Sequence, residues 1–240
     1  MARLVIGLLF GMVLGGAFVF YFFVAVPKAV IAPGTSISAP DPNGLPAGTA
    51  QIVLRQQFFN DVLGTIFSEM NPPAFPLNNN APIPECDGRI IIQRQGSGTE
   101  TGVSFADEKI SVPLAFAGSY ASPFGCFNFT GWAKANFQMR FDEQNKTVFG
   151  QINVETVNLD GVNPVVSAFL TPIVQSTLNA RVNPIKILDG RQIAVNLPVV
   201  AANGNLLASV NDVRAEVKEN ALNLYVIYDF EGGPLQSPTP

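Results

Sequence analysis

Residues 161–188, GVNPVVSAFLTPIVQSTLNARVNPIKIL, decide the predicted fold of this chain. Asn163 is a typical helix N-cap, Pro164 suits the first helical position, and Asn183-Pro184 is a stop signal. Between these signals apolar residues recur at intervals of three and four, which predicts a helix with a broad buried stripe. The stripe consists of Val166, Phe169, Leu170, Ile173, Val174, Leu178 and Val182. Because Pro172 removes a backbone donor inside this stretch, we expect a long, kinked helix.

Composition excludes the commonest enzyme chemistry. The chain has 240 residues, no histidine and two cysteines. The missing imidazole excludes Ser-His-Asp and Cys-His catalysis and removes the most frequent transition-metal ligand. Asp107-Glu108 and Asp142-Glu143 are interpreted as solvated charges in turns rather than as a paired acid and base. We therefore expect a protein that is not an enzyme and has no cofactor and no metal site.

The charge content indicates a partly covered surface. Charged residues make up 13% of the chain, against about 25% in typical soluble proteins. This low density favours a surface that is covered in part by lipid or by a partner protein. The net charge of −4 forms no basic stripe, so nucleic acid is excluded as a partner.

The amino-terminal end predicts a membrane anchor. Residues 4–26 are 23 uncharged, apolar residues, which as a helix would be about 35 Å long and would span a bilayer. A signal peptide cleaved near Ala29 or Ala32 is the alternative. Residues 1–26 are therefore predicted as a single transmembrane helix of a bacterial inner membrane. Its amino terminus would lie inside and the remaining domain in the periplasm.

Three glycines in this segment predict a contact between helices. Gly7, Gly11 and Gly15 recur every fourth residue, a spacing that lets a second helix approach closely. The partner helix would come from a second copy or from another membrane protein subunit, although glycine is common in membrane helices in any case. Residues 27–48 follow as a linker rich in proline and glycine.

Residues 49–230 predict an α+β domain, followed by a loose tail over residues 231–240. Thr49 is interpreted as the cap of a helix over residues 50–70. Alternating apolar and polar residues then predict seven strands. These strands cover residues 89–95, 110–120, 126–142, 148–159, 192–200, 206–218 and 222–230.

The predicted strand over residues 126–142 is about three times the usual length. Its apolar residues from Phe127 to Phe141 all fall on one face, and polar residues occupy the other. Gly131, Ala133 and Ala135 leave space at the middle of the apolar face. We expect a packed helix to use that space, with a ligand chain as the alternative.

The order of these elements resembles the small bacterial TULIP-like (tubular lipid-binding) envelope domains, which are related in shape to the BPI and SMP lipid-transfer domains. Residues 146–188 carry the resemblance: a strand KTVFGQINVETVNL, a helix with LTPIV and LN, then NPIKIL. The resemblance implies a long curved antiparallel sheet wrapped around the kinked helix, with an elongated apolar groove. Related lipoproteins are anchored through a lipidated cysteine near the amino terminus, which this chain lacks, so the transmembrane helix would replace that anchor.

Cys86 and Cys126 are the two cysteines of the chain. Each precedes a predicted strand, and a domain outside the cytoplasm meets an oxidising environment. We predict a disulfide between them, with two buried thiols as the alternative.

Two functions are compatible with these features. The first is a binding module that takes a membrane lipid or another apolar molecule in the groove. Candidate lining residues, which could equally be sealed core, are Phe129, Ala133, Phe137, Phe169, Ile173 and Val174. The second is an accessory subunit of a larger energy-transducing or transport complex, held by the glycine-rich helix.

Overall fold

The protein folds mainly as curved antiparallel sheets. A computed structural model describes residues 29–77, 86–122, 125–199, 201 and 204–234, together with Gly11 and Gly15. From residue 29 onward the described residues contain two α-helices, α1 (Gln56–Glu69) and α2 (Pro164–Arg181). The first strands are β1 (Thr35–Ser36), β2 (Thr49–Arg55), β3 (Ala74–Pro76), β4 (Arg89–Gln93), β5 (Gln95–Gly96), β6 (Thr99–Glu100) and β7 (Ser104–Ala106). The later strands are β8 (Lys109–Ser122), β9 (Gly125–Asp142), β10 (Thr147–Asp160), β11 (Ile185–Asp189), β12 (Val195–Val199), β13 (Gly204–Lys218) and β14 (Ala221–Pro234).

Two sheets and a small ribbon organise these strands. Sheet A has the order β11-β10-β9-β8-β4-β3, with β1 also paired to β9 and β7 to β8. Sheet B has the order β12-β13-β14-β2, and β5 pairs with β6. The two sheets share one hydrophobic core, since Leu222 and Leu224 of β14 belong to the same buried cluster as Ile90, Phe116 and other residues of sheet A.

The long strands follow the predicted alternation. In β9 the odd-numbered residues from Phe129 to Ala135 are buried, while the polar residues between them are more exposed. Gly131 lies opposite Phe116 of β8, and Gly118 lies opposite Phe129. A Cβ atom on Gly131 would meet the Phe116 ring and the backbone oxygen of Asn158. The space beside Gly131 is therefore filled by a neighbouring strand.

The predicted fold class, a sheet wrapped around a long kinked helix, is wrong. Strands rather than a central helix dominate the fold. Helix α2 ends at Arg181, and the chain from Ile185 onward is β11. Helix α2 lies chiefly against β10. Its other side is exposed to solvent, and Val165 on that side is 81% exposed. The predicted N-cap is confirmed, because the Asn163 side chain accepts a hydrogen bond from the Val166 N–H.

The predicted helix over residues 50–70 is too long at its start. Residues 49–55 form β2, which pairs with β14 along seven register positions. Thr49 is therefore not a helix cap, and α1 begins only at Gln56. The pairing of Ile52 and Leu54 with Leu224 and Leu222 outweighs the helical periodicity of this segment.

The membrane prediction finds no support in the described residues. No helix among them combines the length and the apolar character that crossing a bilayer requires. The predicted anchor over residues 4–26 lies outside them apart from Gly11 and Gly15, which are helical and exposed.

Part of the predicted linker is bound to the domain. We call residues 32–38 the strap. Ala32 is buried, and its N–H donates to the Gln151 side chain. Further along, the Ile37 N–H donates to the Met139 carbonyl of sheet A at 3.0 Å, and the Ser38 carbonyl accepts from the Ala215 N–H of sheet B at 3.1 Å. The strap therefore joins the two sheets.

Candidate functional site

The largest described cavity is a cleft of about 670 Å³ beside the strap. Residues of β8 and β9 in sheet A line one side, and residues of β13 and β14 in sheet B line the other. The cleft lies where β8 begins, because β9 continues for five residues beyond Phe137, the last residue that pairs with β8. Beyond Phe137, the last β9 residue paired with β8, the edge of β9 is next occupied by the strap.

The floor of the cleft is apolar. Phe137 and Met139 from sheet A face Ala215 and Val217 from sheet B, and all four are partly buried against the hydrophobic core. Leu222 also lines the cleft and is buried. An apolar chain placed here would contact both sheets and would remove these side chains from water.

Charged residues line the rest of the cleft, and we call them the rim. Acidic residues outnumber lysines in the lining: it contains Asp107, Glu108, Glu155 and Glu216, and Lys109 and Lys134. All of these except the half-buried Glu216 are exposed. An apolar floor below a charged rim is the arrangement that a molecule with one apolar and one polar end would fit.

Two polar groups of the cleft are held in defined positions. The Asn136 amide donates to Glu155 at 2.6 Å, and Asn136 Oδ1 is buried with no hydrogen-bond partner among the described residues. The Tyr225 hydroxyl donates to Glu216 at 2.7 Å, and this bond, followed by burial, raises the pKa of Tyr225. These two bonds fix the orientation of the Asn136 and Glu216 side chains.

The six predicted groove residues do not lie together along the cleft. Phe129, Ala133, Ile173 and Val174 are sealed in the core, each 3% exposed or less. Phe169 is 40% exposed, and its ring packs edge-on against Tyr120 with centroids 5.7 Å apart. Only Phe137 of the six lines the cleft. Ligand contact by the other five stays a prediction.

The other predicted site residues have different outcomes. The disulfide between Cys86 and Cys126 is confirmed, with Cα atoms 5.7 Å apart. Gly11 and Gly15 have no described atom within 4 Å of an added Cβ. Gly7 lies outside the described residues, so the predicted helix contact stays a prediction.

Two buried carboxylates are held by local donors. The Arg191 side chain, with Lys186 and the Arg191 N–H, lowers the pKa of Asp189. The Asn145 side chain and backbone lower the pKa of Asp142. Asp142 was expected to be solvated, but it is 8% exposed because it binds its own turn. Both groups stay ionised near neutral pH and fix turns. Across the described part of the chain, acidic residues and cysteines form no group of three placed to bind a metal ion.

Sequence reasoning missed the sheet B side of the cleft. The strand over residues 206–218 was predicted, but nothing in its alternation places Ala215 and Val217 opposite β9. The signal that was available lies in the strap, where the apolar Ile37 interrupts a polar stretch and lines the cleft.

Comparison of the chain with protein-family models, curated proteins and solved structures found no match. The resemblance to TULIP-like domains therefore stays a prediction.

Proposed function

We propose that this protein is a non-enzymatic binding protein that holds an amphipathic, lipid-like molecule in the cleft between its two sheets. The observation that carries the proposal is the apolar floor of Phe137, Met139, Ala215 and Val217 below a charged rim. A volume of about 670 Å³ falls within the range of typical small-molecule sites.

The energetics favour a ligand with an apolar chain. Each buried CH₂ group contributes about 0.8 kcal/mol, so a chain of several methylenes would supply most of the affinity. The acidic rim favours a head group that is neutral or positively charged over a second anion.

The disulfide supports a location outside the cytoplasm. Disulfides persist in oxidising compartments and are rare in the cytosol. We therefore place the domain in the periplasm or an equivalent extracytoplasmic space.

A fluorescent fatty amine tests the proposal. The full-length protein should bind the probe saturably, and Ala215→Trp should weaken binding at least tenfold because the indole fills the cleft. Val165→Trp is the control, since Val165 is 81% exposed on α2. The proposal fails if the wild type does not bind the probe, or if Ala215→Trp binds as the wild type does.

A second candidate function is that of an accessory subunit of a larger complex. The exposed apolar side chains of helix α1 support it. None of its 14 residues is buried, and Phe58 and Val62 are 50% and 44% exposed. A protein partner would cover this face. Native mass spectrometry of gently extracted protein should then show a stable complex that is lost in Phe58→Asp and kept in Val165→Asp. A lone chain would contradict this function.

A further inference from the structure

A hairpin at one end of the molecule carries no charge. Residues 192–211 include β12, the following turn and the first half of β13, and they contain no acidic or basic residue. In the whole chain, 13% of residues are charged. The run is also exposed in part, since every residue of β12 is exposed. The hairpin therefore offers a neutral surface to its surroundings.

One face of this hairpin is apolar. Val195, Leu197 and Val199 alternate along β12 and are 42%, 49% and 38% exposed. The strand register continues the face across the sheet, because Val195 pairs with Ala208 and Ala208 pairs with Phe230 of β14. Phe230 is 56% exposed. The exposed side chains on this side form what we call the hairpin face: Val195, Leu197, Val199 and Phe230.

The opposite face of the same strands is polar. Asp229 and Glu231 alternate with Phe230 along β14 and therefore point to the other side of the sheet. Asn196 and Asn205 take the same side on β12 and β13, together with two apolar residues, Pro198 and Leu207. The end of sheet B is thus amphipathic across its thickness.

The hairpin leaves the domain at the end where the described chain begins. Ala32 is bonded to Gln151 of β10, and Gly34 lies against the Phe141-Asp142 backbone. At this same end of sheet A, Gly190 bonds the Lys146 carbonyl just before β12. The described chain therefore begins on the side from which the hairpin face extends, and the uncharged, apolar residues 4–26 precede it in sequence.

We propose that the hairpin face lies on an uncharged or zwitterionic lipid surface. It has no basic residue to attract anionic lipids, and Asp229 and Glu231 behind it would be repelled by them. A second copy fits less well. Four side chains that are each 38–56% exposed offer well under the roughly 800 Å² that each partner buries in a stable dimer.

Depth-dependent quenching tests this proposal on the full-length protein in phosphatidylcholine vesicles. Leu197→Cys and, separately, Val199→Cys would carry an NBD fluorophore, with the Cys86–Cys126 disulfide left oxidised. Nitroxide-labelled phosphatidylcholine should quench both probes at least twofold more than a probe at Val53→Cys. Val53 is the matched control because it is 53% exposed and lies on the opposite face of sheet B.

The other outcomes overturn the proposal. Equal, weak quenching at positions 197, 199 and 53 would show that the hairpin face stays in water. A blue-shifted probe that lipid nitroxides do not quench would show that protein covers the face, whether residues of the same chain or a second copy. Stronger quenching after a third of the lipid is replaced by phosphatidylglycerol would contradict the preference for uncharged lipid.

Discussion

A single asparagine fixes the junction between α2 and sheet A. The Asn183 side chain accepts from the Ile152 N–H at 2.7 Å and donates to the Ile152 carbonyl at 2.7 Å. It also donates to the Asn179 carbonyl. Asn183 is 8% exposed, so these bonds are shielded from water. The side chain substitutes for a strand neighbour that β10 lacks at this point.

Replacing this residue should be costly. We expect Asn183→Ala to lower the free energy of unfolding by about 2–4 kcal/mol, because it leaves two buried backbone groups of Ile152 without partners. Denaturant unfolding measures the change. Asn158→Ala, at an exposed position of β10, should change stability by less than about 0.5 kcal/mol. Equal effects of the two substitutions would show that the Asn183 bonds are not important for stability.

Asp189 should make the free energy of unfolding depend on pH. Its pKa is lowered in the fold by Arg191 first and then by Lys186. A carboxyl group whose folded pKa lies below its unfolded value of about 3.9 stabilises the fold above that pH, and this contribution is lost as the pH falls further. Asp189→Asn should therefore be less stable than the wild type at pH 7, and the difference should shrink below about pH 4.

Urea unfolding midpoints between pH 7 and pH 2 measure this effect. Asp160→Asn, at the exposed end of β10, is the control for changing a carboxylate. A stability difference between wild type and Asp189→Asn that stays constant down to pH 2 would contradict the assignment.

At the scale of elements, both helices complete the edges of sheet A with rows of amide side chains. Asn60 of α1 accepts from the Val103 N–H, and Gln56 accepts from the Phe105 N–H. Asn179 of α2 accepts from Val154, and Gln175 donates to its carbonyl. Amides spaced four residues apart thus satisfy backbone groups that an exposed sheet edge would leave open for aggregation.

Glycines in α1 and β9 should respond oppositely to alanine. An added Cβ on Gly64 meets no atom within 4 Å, so Gly64→Ala should stabilise the protein by about 0.5–1 kcal/mol through helix propensity. Gly131→Ala should destabilise it by about 1–3 kcal/mol or more, since its Cβ would clash with Phe116 and the Asn158 backbone. Thermal unfolding of both variants provides the comparison, and a stabilised Gly131→Ala would refute the tight packing.

The long strands β8, β9, β10, β13 and β14 could be predicted from the sequence, whereas β2, β11 and the assembly of the sheets could not. Alternation located β9 almost residue by residue, because one face is buried or partly buried from Phe127 to Phe141. The helix periodicity of residues 161–188 was equally visible, but it does not reveal that Gln175, Asn179 and Asn183 bind a strand edge. From a single sequence these amides are interpreted as solvent-exposed side chains, since their partners lie 21 to 31 residues away.

The cleft was harder to predict than the fold. Phe137 was identified as a candidate, yet its neighbours Ala215 and Val217 come from a second sheet far along the chain. Short sequence patterns specify which face of a strand is apolar, but they do not specify where two sheets part. The predicted groove residues were therefore mostly core residues.

At the scale of the whole molecule, the disulfide closes a loop of 40 residues that includes β4 to β8. Cross-linking a loop of this length contributes about 3–4 kcal/mol by restricting the unfolded chain. We expect Cys86→Ser/Cys126→Ser to lose about that much in denaturant unfolding. Dithiothreitol should lower the unfolding midpoint of the wild type and leave the double variant unchanged. A double variant as stable as the oxidised wild type would contradict this contribution.

The strap has a mechanical consequence for the whole molecule. Ile37 borders the cleft, while the backbone of residues 37 and 38 is bonded to Met139 on one sheet and Ala215 on the other. A molecule that spreads the sheets must load these two bonds. By linkage, a ligand that favours separated sheets would weaken these two bonds, and loss of the bonds would ease that separation. If the cleft binds the proposed ligand, detachment of the strap and ligand binding would favour each other.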